Sequence, residues 1–87
     1  METVIIGAGR MGRRHIQVVR DLGLNLVGIC DLNSAALSLA TEEHNVLPEL
    51  HFTDVRHLLE KTVPECVIIA LRRLPIANIP VWRQKQG

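Results

Sequence analysis

The sequence lacks any apolar run that approaches the roughly 18 residues needed for a membrane-spanning helix. The amino terminus also lacks the basic segment and the small-residue cleavage site of a secretory leader, because Met1 is followed almost at once by the apolar run Val4-Ile5-Ile6. We therefore predict a cytoplasmic protein without a membrane partner.

Cysteine is scarce, and its placement excludes several kinds of site. Cys30 and Cys66 both lie in apolar runs typical of strands, so we expect reduced thiols that pack as small apolar side chains. His44, His51 and His57 have no metal-ligand spacing with one another or with a cysteine, and we predict no metal site. No nucleophile-base pair stands out, and no catalytic residue is assigned.

Charge is limited and unevenly distributed. The formal net charge is +1, which indicates no strong attraction to nucleic acid or to a membrane surface. Residues 66–87 contain no acidic side chain, but they hold four basic residues and Trp82. Such a segment permits a nucleic-acid contact, with the basic groups on phosphates and the indole stacked on a base. Four charges and one aromatic ring are thin support, and we predict no nucleic-acid partner.

Strand patterns and helical patterns alternate along the rest of the chain. Short apolar runs indicate strands, and apolar residues at three- and four-residue spacing between them indicate helices. Alternation with short connections predicts an α/β fold of three layers, α/β/α, in which a parallel, partly doubly wound sheet has the strand order 3-2-1-4. The expected strands cover 2–6, 26–30, 50–52 and 66–71, and the expected helices begin near Arg10, at Asn33 or Ser34, and at Thr53 or Asp54.

A glycine motif, Gly7-x-Gly9-x-x-Gly12, lies where the first strand meets the first helix. Such a motif is weak evidence alone, but here it follows a strand, opens a helix, and is followed by Asp31 at the end of the next strand. This is the arrangement of a dinucleotide-binding turn. A strand-to-helix turn that binds no ligand remains the alternative.

Each residue of this arrangement has an expected role. Gly7 allows the tight turn, Gly9 lets the backbone approach a pyrophosphate, and Gly12 lets the helix pack closely on the strand. The N–H groups at the start of the helix, near Arg10, then receive the anion. Asp31 accepts hydrogen bonds from the ribose hydroxyls and would repel a 2′-phosphate, which favours NAD over NADP.

Four polar residues of the first helix are open to two interpretations. Arg10 either contacts a phosphate or ribose or is a solvated surface residue. We interpret Arg13 and Arg14 as solvated. His15 is interpreted as a helix histidine packed against the turn, with a nucleotide contact as the alternative.

The stretch "VIIGAGRMGRRHIQVVRDLGLNLVGICDLN", with "FTDVRHLLE" and "ECVIIA" further on, resembles the N-terminal Rossmann domain of the Gfo/Idh/MocA oxidoreductases. The resemblance runs from about Thr3 to Ala70. It implies NAD(P) binding, and intact members of the family transfer a hydride between this cofactor and a sugar or polyol. The cofactor-binding residues that the resemblance implies are Gly7, Gly9, Arg10, Met11, Gly12 and Asp31, with His15 less secure.

After Ala70 the sequence departs from the family pattern, which continues with Ala-Thr-Pro, a histidine and a helix of small residues. Here the chain reads "LRRLPIANIPVWRQKQG". When permissible codons after Ala70 are displaced by one base, the sequence ATPPLAHREYTCLAAEAG is obtained, which restores that pattern. We therefore predict a reading-frame slip after Ala70, with residues 1–70 as part of a dinucleotide-binding domain and 71–87 as an irregular, poorly ordered tail.

Three functional hypotheses follow from this organisation. The first is a truncated oxidoreductase relative that binds a dinucleotide weakly and does not itself catalyse hydride transfer, since the family's catalytic lysine and histidine come from later in the chain. The second is a non-catalytic module that senses nucleotide or associates through an exposed fourth strand. The third is an unstable fragment without a function.

Overall fold

The computed structural model describes residues 1–70, so the tail expected at 71–87 lies outside the described residues. Strands and helices alternate as the sequence predicts. They are β1 (Glu2–Ile6), α1 (Arg10–Asp21), β2 (Asn25–Cys30), α2 (Ser34–His44), β3 (His51–Phe52), α3 (Val55–Thr62) and β4 (Cys66–Ile69). A single 3-10 turn, Pro48–Leu50, occupies the start of the expected third strand, which is therefore only two residues long.

The four strands form one parallel sheet in the order β3-β2-β1-β4. This confirms the predicted order. In a parallel sheet all carboxyl ends lie at the same edge, so the segments that follow β1, β2 and β3 meet there. The register places Ile6 beside Cys30 on one side and beside Ile69 on the other, which fixes where those segments emerge.

The larger core lies between the sheet and the helices α1 and α2. Side chains of β1, β2 and both helices are buried there, because each helix places apolar side chains against the sheet. Its buried members are Ile5, Ala8, Ile16, Val19, Ile29, Leu37, Ala40 and Val46. This core holds α1, and with it the turn before α1, against the sheet.

The opposite face of the sheet has a smaller core, in which Leu58 of α3 packs on Val4 and Cys30. This helix covers β2 and β3 but leaves part of β4 uncovered. Val67 and Ile69 of β4 are 42% and 66% exposed. Among the described residues, an apolar strip of β4 is therefore open to solvent.

Local signals determine where the helices begin. The side chain of Asn33 accepts a hydrogen bond from the N–H of Ala35 at 2.9 Å, and that of Asp54 accepts one from the N–H of Arg56 at 2.9 Å. These contacts select Asn33 and Asp54 from the pairs of possible caps.

Two further features concern the described residues as a whole. Cys30 is a buried free thiol and Cys66 is a half-buried one. Within residues 1–70, every helix is too short or too polar to cross a membrane.

Candidate functional site

The site is built on the turn between β1 and α1. Gly7 has a φ of 109°, which side-chain-bearing residues rarely adopt, so the turn requires glycine there. Its N–H donates to the carbonyl oxygen of Cys30 at 2.7 Å, which joins the turn to the end of β2. The turn is therefore fixed to the neighbouring strand of the sheet.

Gly12 lies in the first part of α1, where the helix passes directly over the turn. A Cβ atom at this position would lie 1.7 Å from the carbonyl oxygen of Gly7 and 2.7 Å from its carbonyl carbon. Both are backbone atoms and cannot move aside independently. The close approach of helix and turn thus depends on glycine at this position.

Gly9 differs from the other two glycines, because nothing in the fold itself requires it. Its φ is −68°, which any residue adopts, and a Cβ atom there would meet no atom of residues 1–70 within 4 Å. This position faces open space directly in front of α1. A group that approaches the helix from that side would find free backbone there and no side chain.

The start of α1 is suited to an anion. Gly9 supplies no side-chain cap, and the first turn contains no acidic residue. Arg10 and Met11 are exposed on this turn. The first N–H groups of a helix carry partial positive charge and need acceptors, and an anion such as a pyrophosphate provides them.

The residue between the first two glycines, Ala8, is held by charged side chains from both directions. Its N–H donates to Oδ2 of Asp31 at 2.8 Å, and its carbonyl oxygen accepts from Nη1 of Arg13 at 2.8 Å. Nε of Arg13 also donates to Oε1 of Glu43, on α2, at 2.8 Å. The interpretation of Arg13 as solvated is therefore wrong: its side chain is 16% exposed. Arg14, next to it, is exposed as expected.

Asp31 follows β2 and lies beside the turn. Besides the Ala8 contact, its Oδ1 accepts from the N–H of Asn33 at 2.8 Å, and its own N–H donates to the carbonyl oxygen of Phe52 at 3.0 Å. Each carboxylate oxygen thus has one backbone donor and a further lone pair available. The carboxylate is held in a fixed direction at the carboxyl edge of the sheet.

A cavity of about 520 Å³ opens at this edge between the ends of β1, β2 and β3. Pockets that bind small organic ligands have volumes in this range and combine apolar walls with a few polar groups. Here the walls are largely apolar and two carboxylates are among the polar groups. The cavity is lined by Ile6, Gly7, Cys30, Asp31, Leu32, Thr53, Asp54 and Val55.

The position of Cys30 in the wall of this cavity changes the pKa of its thiol. Burial raises the pKa of the Cys30 thiol, and the nearby carboxylates of Asp31 and Asp54 raise it further by repelling the thiolate. The thiol is therefore protonated at neutral pH and acts as part of the apolar wall.

The structure brings together four of the residues that sequence reasoning selected, namely Gly7, Gly9, Gly12 and Asp31. Arg10 and Met11 lie on the open side of the same turn, and His15 is half-buried one helical turn further on. Sequence reasoning assigned no ligand role to Asp54, although its position after β3 matches that of Asp31 after β2.

The family model of an oxidoreductase family with an NAD-binding Rossmann fold, Gfo/Idh/MocA, matches residues 1–78. The chain belongs to this family. NAD is the cofactor of the matched domain. The residues described above fit this cofactor, since the space in front of Gly9 can admit a pyrophosphate and the cavity beside Asp31 can admit a nucleoside.

A solved structure of the fold shows the same arrangement of elements. The WlbA dehydrogenase from Chromobacterium violaceum, crystallised in complex with NADH and UDP-GlcNAcA, matches with a TM-score of 0.69 at 22% identity. The match covers 82% of this chain and 20% of the dehydrogenase, so the Gfo/Idh/MocA chain described here spans about a fifth of that protein's length. Comparison with curated protein sequences found no match.

Proposed function

We propose that residues 1–70 bind the adenosine and pyrophosphate half of NAD and do not themselves carry out hydride transfer. The observation that carries this proposal is the open space in front of Gly9, at the start of a helix whose first turn has no acidic residue. When bound, NAD supplies the acceptor or donor of a hydride. The roles of this chain's residues are to bind the cofactor and to orient its adenosine half.

Each part of the site has a distinct task in this proposal. The N–H groups at the start of α1 bind the pyrophosphate, with Arg10 and Met11 beside them on the open side. The cavity holds the adenosine, and Asp31 accepts hydrogen bonds from the ribose hydroxyls with its remaining lone pairs. A 2′-phosphate would meet the carboxylates of Asp31 and Asp54 in the same cavity, so we propose NAD rather than NADP.

Calorimetric titration of the purified chain with NAD and NADP tests this choice. We expect NAD to bind with a dissociation constant weaker than micromolar and NADP to bind at least about tenfold more weakly, which corresponds to one unfavourable contact of about 1.4 kcal/mol. Asp31→Asn should reduce the difference in affinity between NAD and NADP. Asp54→Asn, the matched variant in the same cavity, should reduce this difference as well, because a 2′-phosphate would meet both carboxylates. Equal affinity of the wild-type chain for both cofactors would contradict the proposal.

We also propose that the substrate of the intact oxidoreductase to which this domain corresponds is a sugar or polyol. The support is the family resemblance of the sequence, together with UDP-GlcNAcA in the complex of the similar dehydrogenase. Assays of a longer gene product with NAD and a panel of sugars, polyols and simple alcohols test it. Cofactor reduction with alcohols alone would contradict this substrate class.

The change of pattern after Ala70 supports the proposal that the coding sequence slips by one base at this point. On this proposal residues 71–87 are encoded in a different frame from residues 1–70, although the match to the family model extends to residue 78. DNA sequencing across Ala70 tests it directly. If the codons for "LRRLPIANIPVW" do not encode the family pattern in the displaced frame, the proposal is wrong.

The exposed strip on β4 favours a second candidate function, association with another copy of the chain. Among residues 1–70, β4 pairs only with β1, and it has no charged side chain or proline to discourage pairing at its other edge. Light scattering at increasing protein concentration should show a dimer that Ile69→Lys disrupts. Leu22→Lys is a matched control, since Leu22 is 68% exposed and Ile69 is 66% exposed. A wild-type chain that stays monomeric would exclude this function.

A further inference from the structure

Ala8 is the most constrained residue of the glycine turn. Its side chain is fully buried in the larger core, its N–H is bound by Asp31, and its carbonyl oxygen is bound by Arg13. The buried side chain and the two hydrogen bonds hold Ala8 from three different directions. Such a set of contacts leaves little freedom to the peptide on either side of Ala8.

The Arg13 contact acts on the peptide group that joins Ala8 to Gly9. A trans peptide is planar, and its N–H points opposite to its C=O. Holding the Ala8 oxygen therefore also fixes the direction of the Gly9 N–H, at the open position in front of α1. An unheld carbonyl could rotate and would turn that N–H away.

Arg13 is itself held in place by α2. Its guanidinium forms two hydrogen bonds at once, from Nε to Glu43 and from Nη1 to the Ala8 oxygen, both at 2.8 Å. The fork of the guanidinium suits two acceptors in fixed directions, whereas a lysine ammonium is a point charge on a flexible chain. Glu43 also offsets the positive charge that Arg13 brings close to the positive end of α1.

We propose that Arg13 is a positioning residue for the pyrophosphate site, acting through the Ala8 carbonyl and itself oriented by Glu43. This proposal rests on the proposed binding of NAD at the glycine turn. It assigns to α2 a part in cofactor binding, although α2 does not line the site. Arg13 touches no atom of the cofactor in this proposal.

The test compares Arg13→Lys with Arg14→Lys in the full chain. Both substitutions keep the charge, and they lie at adjacent positions of α1, but only Arg13 makes the two contacts. We expect Arg13→Lys to weaken ADP-ribose binding about tenfold, the effect of losing one charge-assisted hydrogen bond, and to leave the affinity for adenosine unchanged. Arg14→Lys should change neither affinity.

Glu43→Ala provides a second route to the same result, since it removes the acceptor that orients Arg13 and leaves the glycine turn untouched. We expect it to weaken ADP-ribose binding by a smaller factor, again without an effect on adenosine. Equal weakening of both ligands, or an equal effect of Arg14→Lys, would overturn the proposal.

Amide hydrogen exchange separates the failure of this proposal from the failure of cofactor binding. In Arg13→Lys without any ligand, the Ala8 amide, which donates to Asp31, should exchange at least about tenfold faster, while amides of β1 keep their protection. If the chain binds no ADP-ribose but shows this change, NAD binding is wrong and the role of Arg13 in holding the turn stands. Unchanged exchange at Ala8 would overturn that role.

Discussion

Substitution of Gly12 by alanine tests the geometry of the turn most severely. The added Cβ would lie 1.7 Å from the Gly7 oxygen, whereas ordinary contacts begin at 3.4 Å. Helix and turn must therefore separate by about half of the ordinary contact distance. Because Ile16 and Val19 of the same helix are fully buried, that movement also loosens the larger core.

The magnitude follows from these contacts. Overpacking a well-packed site usually costs about 1–3 kcal/mol. The clash at Gly12 is with backbone, so we expect at least about 3 kcal/mol. A domain of this size has a total unfolding free energy of roughly 4–10 kcal/mol, at about 0.05–0.15 kcal/mol per residue. Gly12→Ala should therefore remove about a third or more of the stability.

Gly9→Ala is the matched control, because it makes the same chemical change three positions earlier. It meets no atom within 4 Å and needs no unusual φ. The added methyl group restricts the unfolded chain, so stability should stay the same or rise by about 0.4–1 kcal/mol.

Urea denaturation followed by far-UV circular dichroism measures both changes. The two variants should differ by about 3–4 kcal/mol in unfolding free energy, with the wild-type chain between them or level with Gly9→Ala. If the unfolding free energies of Gly12→Ala and Gly9→Ala differ by less than about 0.5 kcal/mol, the inferred close approach of helix and turn is wrong.

Three further predictions concern the smaller core and the two cysteines. Gly28→Ala places a Cβ atom 2.4 Å from Cδ1 of Leu58, which is a movable side-chain end. We therefore expect urea denaturation to show a loss of about 1–2 kcal/mol in unfolding free energy, less than for Gly12→Ala. A loss as large as that of Gly12→Ala would contradict the reasoning. Because burial raises the pKa of the Cys30 thiol, its stabilising contribution is complete below the ordinary thiol pKa and is lost as pH rises through the raised value. The unfolding free energy should thus fall as pH rises above the ordinary thiol pKa of 9.0 in the wild-type chain and fall less in Cys30→Ala, and an equal fall in both would exclude this cause. In the folded chain, a disulfide reagent should modify the half-buried Cys66 well before the buried Cys30, and simultaneous modification would contradict the packing.

Much of the fold follows from local sequence patterns. The apolar runs and the glycines determine the element order, and the connection rules for parallel strands then give the sheet order. The start of β3 was predicted too early, at Leu50. Pro48 begins a 3-10 turn that includes Leu50, and only His51 and Phe52 pair with β2.

The parts of the site that the sequence does not reveal depend on distant contacts. Arg13 has the pattern of a solvated helix residue, and its partner Glu43 is 30 positions away on another helix. Gly28 shows no motif, and its need for a small side chain arises only when Leu58 packs over β2. By contrast, Gly7, Gly9 and Gly12 are close in sequence, so their spacing alone indicates a turn.

The most direct test of the central claim is the binding of NADH to the wild-type chain and to Gly9→Ala, measured by cofactor fluorescence. The fold does not need glycine at this position, but on our proposal the pyrophosphate does, because a methyl group would occupy the space through which it reaches α1. We expect the wild-type chain to bind NADH and Gly9→Ala to bind at least about tenfold more weakly, with no loss of stability in urea. Equal binding by the two chains, or no binding by the wild type, would contradict an NAD site at this turn.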